Sequence, residues 1–350
     1  MKPIKLPPFF SGKPLPALTD ILSQAHLVSL PMVTTFRAIS LRESLLIRGP
    51  AGWGEFSPFL EYGPRESAAW LAAALEAAWL GFPKSKRNSL AVNASLPAVK
   101  AEEVKTILAR FDGDLAEIKV KVAQVGQTLA DDIARLREVR RLFPRARLKV
   151  DANAGWNYQQ ALLALRELEE FNLLYIEQPV ASLSDMVALR QAIRQEGLRT
   201  LVAADELVRK AEDPLEVARR GAADVIVVKV APLGGVRRAS QIVQQAGLPA
   251  VVSSALETSV GIRAGLALAS SLDSLPYGCG LDTVSLLEKD VCLPSLRAEQ
   301  GWLRLGQEPQ PQPQLLRAYR PDRERCAWWQ QRLKLTYTAL EQMIGQDGDG

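Results

Sequence analysis

The sequence is poor in histidine and cysteine. His26 is the only histidine in 350 residues, and Cys279, Cys292 and Cys326 stand far apart with no CxxC pair. A Ser-His-Asp triad is excluded unless His26 serves it, sites built from several histidines are excluded outright, and the scattered cysteines argue against a thiolate metal site. His26 lies in QAHLVSLPM, at the entry to an expected strand, and reads as a packed or half-exposed residue. The cysteine pattern argues for a reducing compartment and against a disulfide framework.

Dense basic blocks are also missing. A net charge of +4 is small for this length, which makes a nucleic acid a poor partner. The most apolar helical stretch, SAAWLAAALEAAWLGF, is interrupted by Glu76 and is shorter than a membrane span. The opening MKPIKLPPFFSGKPLPALTD is proline-rich with no continuous apolar run, so neither a signal peptide nor an anchor is expected there. The expectation is a cytoplasmic protein with no nucleic-acid or membrane partner. Its oligomeric state is not set by the sequence.

What is present has the composition of a globular protein, 47% hydrophobic and 23% charged. After an irregular lead-in to about residue 25, HLVSLPM, TTFRAISL and SLLIRG read as strands joined by short links, which favours antiparallel pairing. GWGEFSP follows, then a helix from about Arg65 to Leu80. Near residue 90 the pattern becomes strand–helix alternation. LAVNAS, EIKVKV, RLKVDAN, LLYIEQP, TLVAADE, DVIVVKV and AVVSSALE are the strand candidates, with a weaker eighth at YGCGLDT. Between them, sets such as Leu129, Ile133, Leu136 and Val139, or Leu183, Met186, Leu189 and Ile193, fall on single helix faces. Such alternation implies a parallel sheet, either closed as a barrel or open and doubly wound. EPQPQPQ then reads as an extended linker, and residues 321–344 as a helix whose arginines form a solvated face.

The charges inside the apolar strands are the functional signal. Lys121, preceded by Lys119, ends EIKVK; Asp151 ends RLKVD; Glu177 ends LLYIE; Asp205 ends TLVAAD; Lys229 ends DVIVVK. The gaps between the five are 30, 26, 28 and 24 residues, each about one strand–helix module. The five charges therefore occupy the same place in consecutive units. In a closed barrel that place is the carboxyl-terminal rim, where active sites of this architecture sit. A single charge there is commonly the start of a solvated loop, and the set could form a buried ion-pair network without chemistry. Five in register favour a site.

Three carboxylates without histidine or cysteine make a hard-oxygen donor set that suits Mg²⁺. A carboxylate ending a buried strand, as Glu177 does, is costly unless a cation compensates it. The lysines cannot be ligands, but a desolvated lysine near other cations is a competent base. Metal plus lysine suits removal of a proton α to a carboxylate.

The ordered motifs KVK (119–121), DANAGW (151–156), EQP (177–179), ADE (204–206) and VVKVAPLGG (227–235), with the early GWGEFSP, resemble the enolase superfamily in its muconate-lactonising subgroup. The resemblance spans about residues 26–300 and implies an α/β fold, a modified (β/α)7β TIM barrel with an α+β capping domain. Residues 1–95 would be the N-terminal part of the cap, 96–290 the barrel, and 291–350 a segment packing back on the cap. It implies catalytic Lys121 facing Lys229, with Lys119 beside them. It further implies Asp151, Glu177 and Asp205 as Mg²⁺ ligands (Mn²⁺ a substitute), supported from behind by Asn153 and Glu206. SSALETSVG (253–261) and CGLDTVSLL (279–287) look most like the o-succinylbenzoate synthases, dehydratases of menaquinone biosynthesis. That likeness implies a small anionic carboxylate substrate held by Ser253 or Ser254 and the Gly280 backbone. The alternatives are an N-succinylamino acid racemase or dipeptide epimerase at the same site and, in another class, a non-catalytic barrel that binds an anion. The cap loops around LPMVTTFRA and PFLEYGP depart from the family pattern.

Overall fold

The computed structural model describes residues 14–36, 39–210, 213–306 and 308–348; residues 1–13 of the lead-in and Arg37–Ala38 of the second strand candidate lie outside the described residues. Strands β1 (Ala25–Phe36), β2 (Ile39–Gly49) and β3 (Gly52–Phe56) form an antiparallel sheet. The lead-in expected to be irregular contains a helix, Leu18–Ser23, anchored by buried Ile21. The helix Pro64–Leu75 begins with proline in its first turn, where a missing N–H costs nothing. Its alanines let it approach the sheet closely: a Cβ on Gly54 of β3 would lie 2.0 Å from the Ala74 carbonyl. The helix widens into a π turn over Glu76–Leu80.

The first barrel candidate, LAVNAS, is two strands. β4 (Ser89–Ala91) pairs outside the barrel with a late strand, while β5 (Ala94–Leu96) starts the parallel sheet. Val92, bridged to Cys279, and Asn93 lie between them. The sheet continues through β6 (Glu117–Lys121), β7 (Arg147–Asp151), β8 (Tyr175–Glu177), β9 (Leu201–Ala204), β10 (Val225–Val228) and β11 (Ala250–Val252), every neighbouring pair parallel. The expected eighth strand closes it. Cys279 bridges to Val92 and Gly280 to Ser253, so one short segment joins the first strand to the last. The architecture is a modified (β/α)7β barrel with an α+β cap, not an open doubly wound sheet. β12 (Trp302–Arg304) completes the pair with β4.

Several of the longer barrel helices start on a capping side chain. Thr128, Asn157 and Ser182 each accept from a first-turn N–H of the helices Leu129–Leu142, Tyr158–Leu168 and Leu183–Gln195. Strand alternation then separates two cores. Ile118, Val120, Leu148, Val150 and Ile176 face the helices, whereas Tyr175, Ala203, Val225, Val227 and Val251 pack inside the barrel with Tyr277. Also inside, Lys149 is paired with Glu117 at 2.5 Å and donates to Asn93 Oδ1 and the Gly278 carbonyl, while Glu117 accepts from Gly278 N. This buried pair clamps the closing segment from both of its polar sides.

The C-terminal helix Arg323–Gly348 lies on the helix Pro64–Leu75. Its arginines are not a uniformly solvated face. Arg332 is buried and donates to the carbonyls of Phe59 and Tyr62, and Arg325 pairs with Glu43 at 2.5 Å. The burial follows from tertiary packing that no local pattern reveals.

Cap and barrel meet through carboxylates placed at helix N-termini. Glu76 accepts from Val236 N (2.5 Å) and Arg237 N (3.2 Å) at the start of the helix Val236–Ala246. Glu55 of β3 accepts from Thr258 Oγ1 (2.6 Å) and Gly261 N (3.0 Å) at the start of the helix Ser259–Ser271. These are favourable positions for negative charge. Glu76→Ala is expected to cost about 1–3 kcal/mol, because it leaves buried donors without an acceptor; urea unfolding monitored by circular dichroism measures it.

Candidate active site

The five expected charges do stand together at the carboxyl ends of adjacent strands. Lys121, Asp151 and Glu177 are the last residues of β6, β7 and β8, and Asp205 and Lys229 directly follow β9 and β10. Strand order thus sets three carboxylates in a row, with a lysine strand on either side. Left-handed residues follow the rim at Ala123, Asn153, Ala154 and Gln178, where the backbone turns sharply away from the strand. Gln178 also ties two modules together: its side-chain oxygen accepts from Asp205 N (3.0 Å) and Leu207 N (3.2 Å).

Lysines and carboxylates are paired throughout. Lys119 donates to Glu177 Oε2 (2.8 Å) and Asp151 Oδ2 (3.2 Å), and Lys121 donates to Asp151 Oδ2 (2.5 Å) and to Asn153 Oδ1. Lys229 donates to Asp205 Oδ2. Asn153 Nδ2 in turn reaches Glu206 Oε1 at 3.3 Å. All three carboxylates are essentially excluded from solvent.

The two lysines of KVK are not equivalent. Burial lowers Lys121 below the ordinary lysine range in spite of Asp151. Lys119 is also desolvated, yet the charges of Glu177 and Asp151 hold it well above that range. Their surroundings therefore push the two ammonium groups in opposite directions. Asp151 is kept ionised against burial by Lys121 and Lys119, and Asp205 against burial by Lys229 and Arg209. Glu177 moves the other way: burial, reinforced by Asp151, raises it.

Among the described residues, no three acidic, histidine or cysteine side chains gather into a ready-made cage for an ion, since the lysines occupy the carboxylates. The donor set nevertheless fits a hard divalent cation. It is all oxygen, it sits on three adjacent strands, and Glu177 Oε1 is buried with no hydrogen-bond partner.

The expected substrate contacts lie beside this row. Ser253 is buried after β11, and its hydroxyl stands against the Gly280 carbonyl at 3.5 Å. A Cβ at Gly280 would lie 2.5 Å from Ser253 Oγ, so any other residue there would displace that hydroxyl. Ser254 Oγ is 2.5 Å from Thr283 Oγ1. Both serines line a narrow, largely filled cleft between cap and barrel, together with Glu55, Val230, Glu257 and Leu281. The cleft adjoins Lys229 through Val230 but is not lined by the rim lysines. His26 is elsewhere, in the cap sheet, with its ring 5.7 Å from Trp53, and the three cysteines are free.

Arg209, Tyr62 and Arg42 were not among the expected site residues. Arg209 bonds Asp205 and Glu206, Tyr62 reaches Arg209 from the cap, and Arg42 donates to the Ala255 and Leu256 carbonyls of the serine loop. Arginines on helices and strand edges usually mark solvent, and only the ADE-to-Arg209 spacing of one helical turn hinted at a pairing.

This barrel, with lysines flanking three rim carboxylates, is matched by the family described as enolase C-terminal domain-like over residues 101–309; the enolase N-terminal domain-like family matches residues 27–78. The chain belongs to the enolase superfamily. Its fold is similar to that of muconate lactonizing enzyme from Pseudomonas putida, with a TM-score of 0.70 and 21% identity over 85% of this chain and 98% of that one. In sequence it is 46% identical over 321 residues to an o-succinylbenzoate synthase of Thermobifida fusca, covering 91% of this chain and 98% of the relative. It is 48% identical over 317 residues to one of Mycolicibacterium smegmatis, covering 90% and 95%. Within the superfamily, the chain belongs to the o-succinylbenzoate synthases. Membership of the superfamily implies a divalent metal. Among the described residues no helix is long and apolar enough to cross a membrane.

Proposed function

We propose that the chain catalyses the dehydration of 2-succinyl-6-hydroxy-2,4-cyclohexadiene-1-carboxylate to 2-succinylbenzoate in menaquinone biosynthesis, a hydro-lyase reaction with Lys121 as its base. The observation that carries the assignment of roles is the strand order, which sets Asp151, Glu177 and Asp205 between Lys121 and Lys229. Neutral Lys121 Nζ takes the proton α to the ring carboxylate, and negative charge develops on that carboxylate. The hydroxyl on the neighbouring ring carbon then departs with its bonding pair and receives the same proton from Lys121, leaving as water. One lysine serves both steps if the elimination is syn. Lys229 and Lys119 remain cations facing the developing charge, and aromatisation of the ring supplies driving force.

Asp151, Glu177 and Asp205 would hold Mg²⁺, with Mn²⁺ as a substitute, and the bound cation supplies Lewis-acid stabilisation of the same charge. Asn153 and Glu206 steady Lys121 and the ligand row. Ser253, Ser254 and the Gly280 backbone orient the substrate, a small anionic carboxylate.

Removing the cation tests this reading. Treatment with a chelator is expected to abolish formation of the aromatic product, and added Mg²⁺ or Mn²⁺ to restore it. Glu177→Gln keeps the shape and removes one charge, so Mn²⁺ affinity should fall about 10–100-fold while the circular dichroism spectrum is unchanged. Undiminished Mn²⁺ affinity in Glu177→Gln would remove this carboxylate from the ligand set.

A further inference from the structure

Arg209 lies one helical turn beyond Asp205, at the end of the short helix Glu206–Arg209, with its side chain 2% exposed. Its three nitrogens go to three different partners. Nε donates to Asp205 Oδ1 (3.1 Å), Nη2 to Glu206 Oε1 (2.8 Å) and Nη1 to the Tyr62 hydroxyl (3.0 Å). The first two partners each lead to a lysine. Asp205 accepts from Lys229 through its other oxygen, and Glu206 Oε1 also accepts from Asn153, which accepts from Lys121.

The third partner leads out of the barrel. Tyr62 belongs to the cap loop between β3 and the helix Pro64–Leu75. Its ring packs edge-on against Phe59 and Trp70, and the Lys210 ammonium lies 5.1 Å from its centroid. Its carbonyl accepts from Arg332 Nη2 at 3.0 Å, on the C-terminal helix. A buried polar path therefore runs from that helix through the cap loop and one guanidinium to both rim lysines.

Only a guanidinium can make these contacts together. It is planar, its charge is permanent, and its nitrogens diverge to three acceptors. By taking Asp205 Oδ1, Arg209 fixes the carboxylate plane and leaves Oδ2 to Lys229. By taking Glu206, it fixes the group that steadies Asn153. Because the Tyr62 hydroxyl is, among the described residues, the only cap group in this cluster of bonds, the seating of the cap loop and the orientation of the rim share one side chain.

We propose that Arg209 is a positioning residue for the rim and that Tyr62 is the latch by which the cap loop engages it. The inference rests on the functional reading above, in that it takes Asp205 as a cation ligand. Arg209 touches neither substrate nor reacting atoms. It acts by holding Asp205 and Glu206 in one orientation, and it holds them best with the cap loop seated.

The test is the affinity of the substrate-free protein for Mn²⁺, followed through the electron paramagnetic resonance of the free ion. Three variants are compared with wild type: Arg209→Lys, Tyr62→Phe and the double variant. Arg209→Lys keeps the charge but offers one nitrogen, so its Mn²⁺ dissociation constant should rise about tenfold or more, as loss of a group behind a metal ligand does. Tyr62→Phe deletes one oxygen and leaves the packed ring, and a rise of about threefold is expected, consistent with one lost hydrogen bond. In the Arg209→Lys background Tyr62→Phe should add nothing, because its effect passes through Arg209. Circular dichroism and melting temperature report folding; if Arg209→Lys does not fold, Tyr62→Phe decides alone. Wild-type affinity in the variants, or strictly additive effects, would overturn the inference and leave the functional reading standing. A wild-type protein that binds no Mn²⁺ and makes no aromatic product would overturn that reading, and the inference with it.

Discussion

Lys121→Ala is expected to lower turnover of the cyclohexadiene substrate by at least about a thousandfold, within the range that a positioned acid–base group contributes. The size of the effect follows from the absence of a substitute. Lys119, two residues earlier on the same strand face, is bonded to both Glu177 and Asp151 and is held well above the ordinary lysine range by them. These ion pairs oppose its serving as a base in place of Lys121. Lys229 stands beyond the carboxylate row, on Asp205. Removing Lys121 also removes a cation from Asp151, so Mn²⁺ binding should survive or tighten, and the loss should fall on kcat. The appearance of product absorbance gives kcat, and Mn²⁺ titration of the same sample gives the affinity. A variant that retains more than about a tenth of wild-type kcat would refute the role of this residue as the base.

The sequence made the rim legible because two independent regularities coincide there. Strand alternation puts Lys119 and Lys121 on one face and Ile118 and Val120 on the other, and the module length repeats the strand end at each of the next four charges. A charge in an otherwise apolar strand is a local anomaly that one sequence can display. Arg209, Arg332 and Arg42 are not anomalies in that sense. They sit where arginine ordinarily meets water, and each is buried because a distant segment covers it: Tyr62 for Arg209, the 58–62 carbonyls for Arg332, the 255–256 carbonyls for Arg42. The pairing of Lys149 with Glu117 escaped for a related reason. Both residues were visible within strands, but their partner Gly278 belongs to the weak closing segment, 161 residues beyond Glu117 and 129 beyond Lys149. The split of LAVNAS into β4 and β5 likewise depends on β12, a late strand with no apolar run of its own. Local pattern locates strand ends; it does not locate what lies across them.

Lys229→Arg is expected to separate the two chemistries that this rim could support. Lys229 is 9% exposed and donates to Asp205 Oδ2, and it stands at the opposite end of the carboxylate row from Lys121. In the dehydration it needs only to be a cation. In racemisation of an N-succinyl amino acid it must also exchange a proton, since one face of the α-carbon is served by Lys121 and the other by Lys229. A guanidinium keeps the charge and the bond to a carboxylate but does not deprotonate in a protein. Lys229→Ala should therefore lose about 10²–10³-fold in dehydration, as removal of a preorganised positive group does. Lys229→Arg should lose only about tenfold, through imperfect fit of a larger head group. Racemisation should disappear in both. Incubation of each enantiomer in D₂O gives the sharper readout. With Lys229→Arg, deuterium should enter the enantiomer whose α-proton faces Lys121, with configuration retained, and should not enter the other. Equal racemisation by wild type and Lys229→Arg would show that Lys229 is not the second proton carrier, and dehydration abolished in Lys229→Arg to the level of Lys229→Ala would show that its role is more than charge.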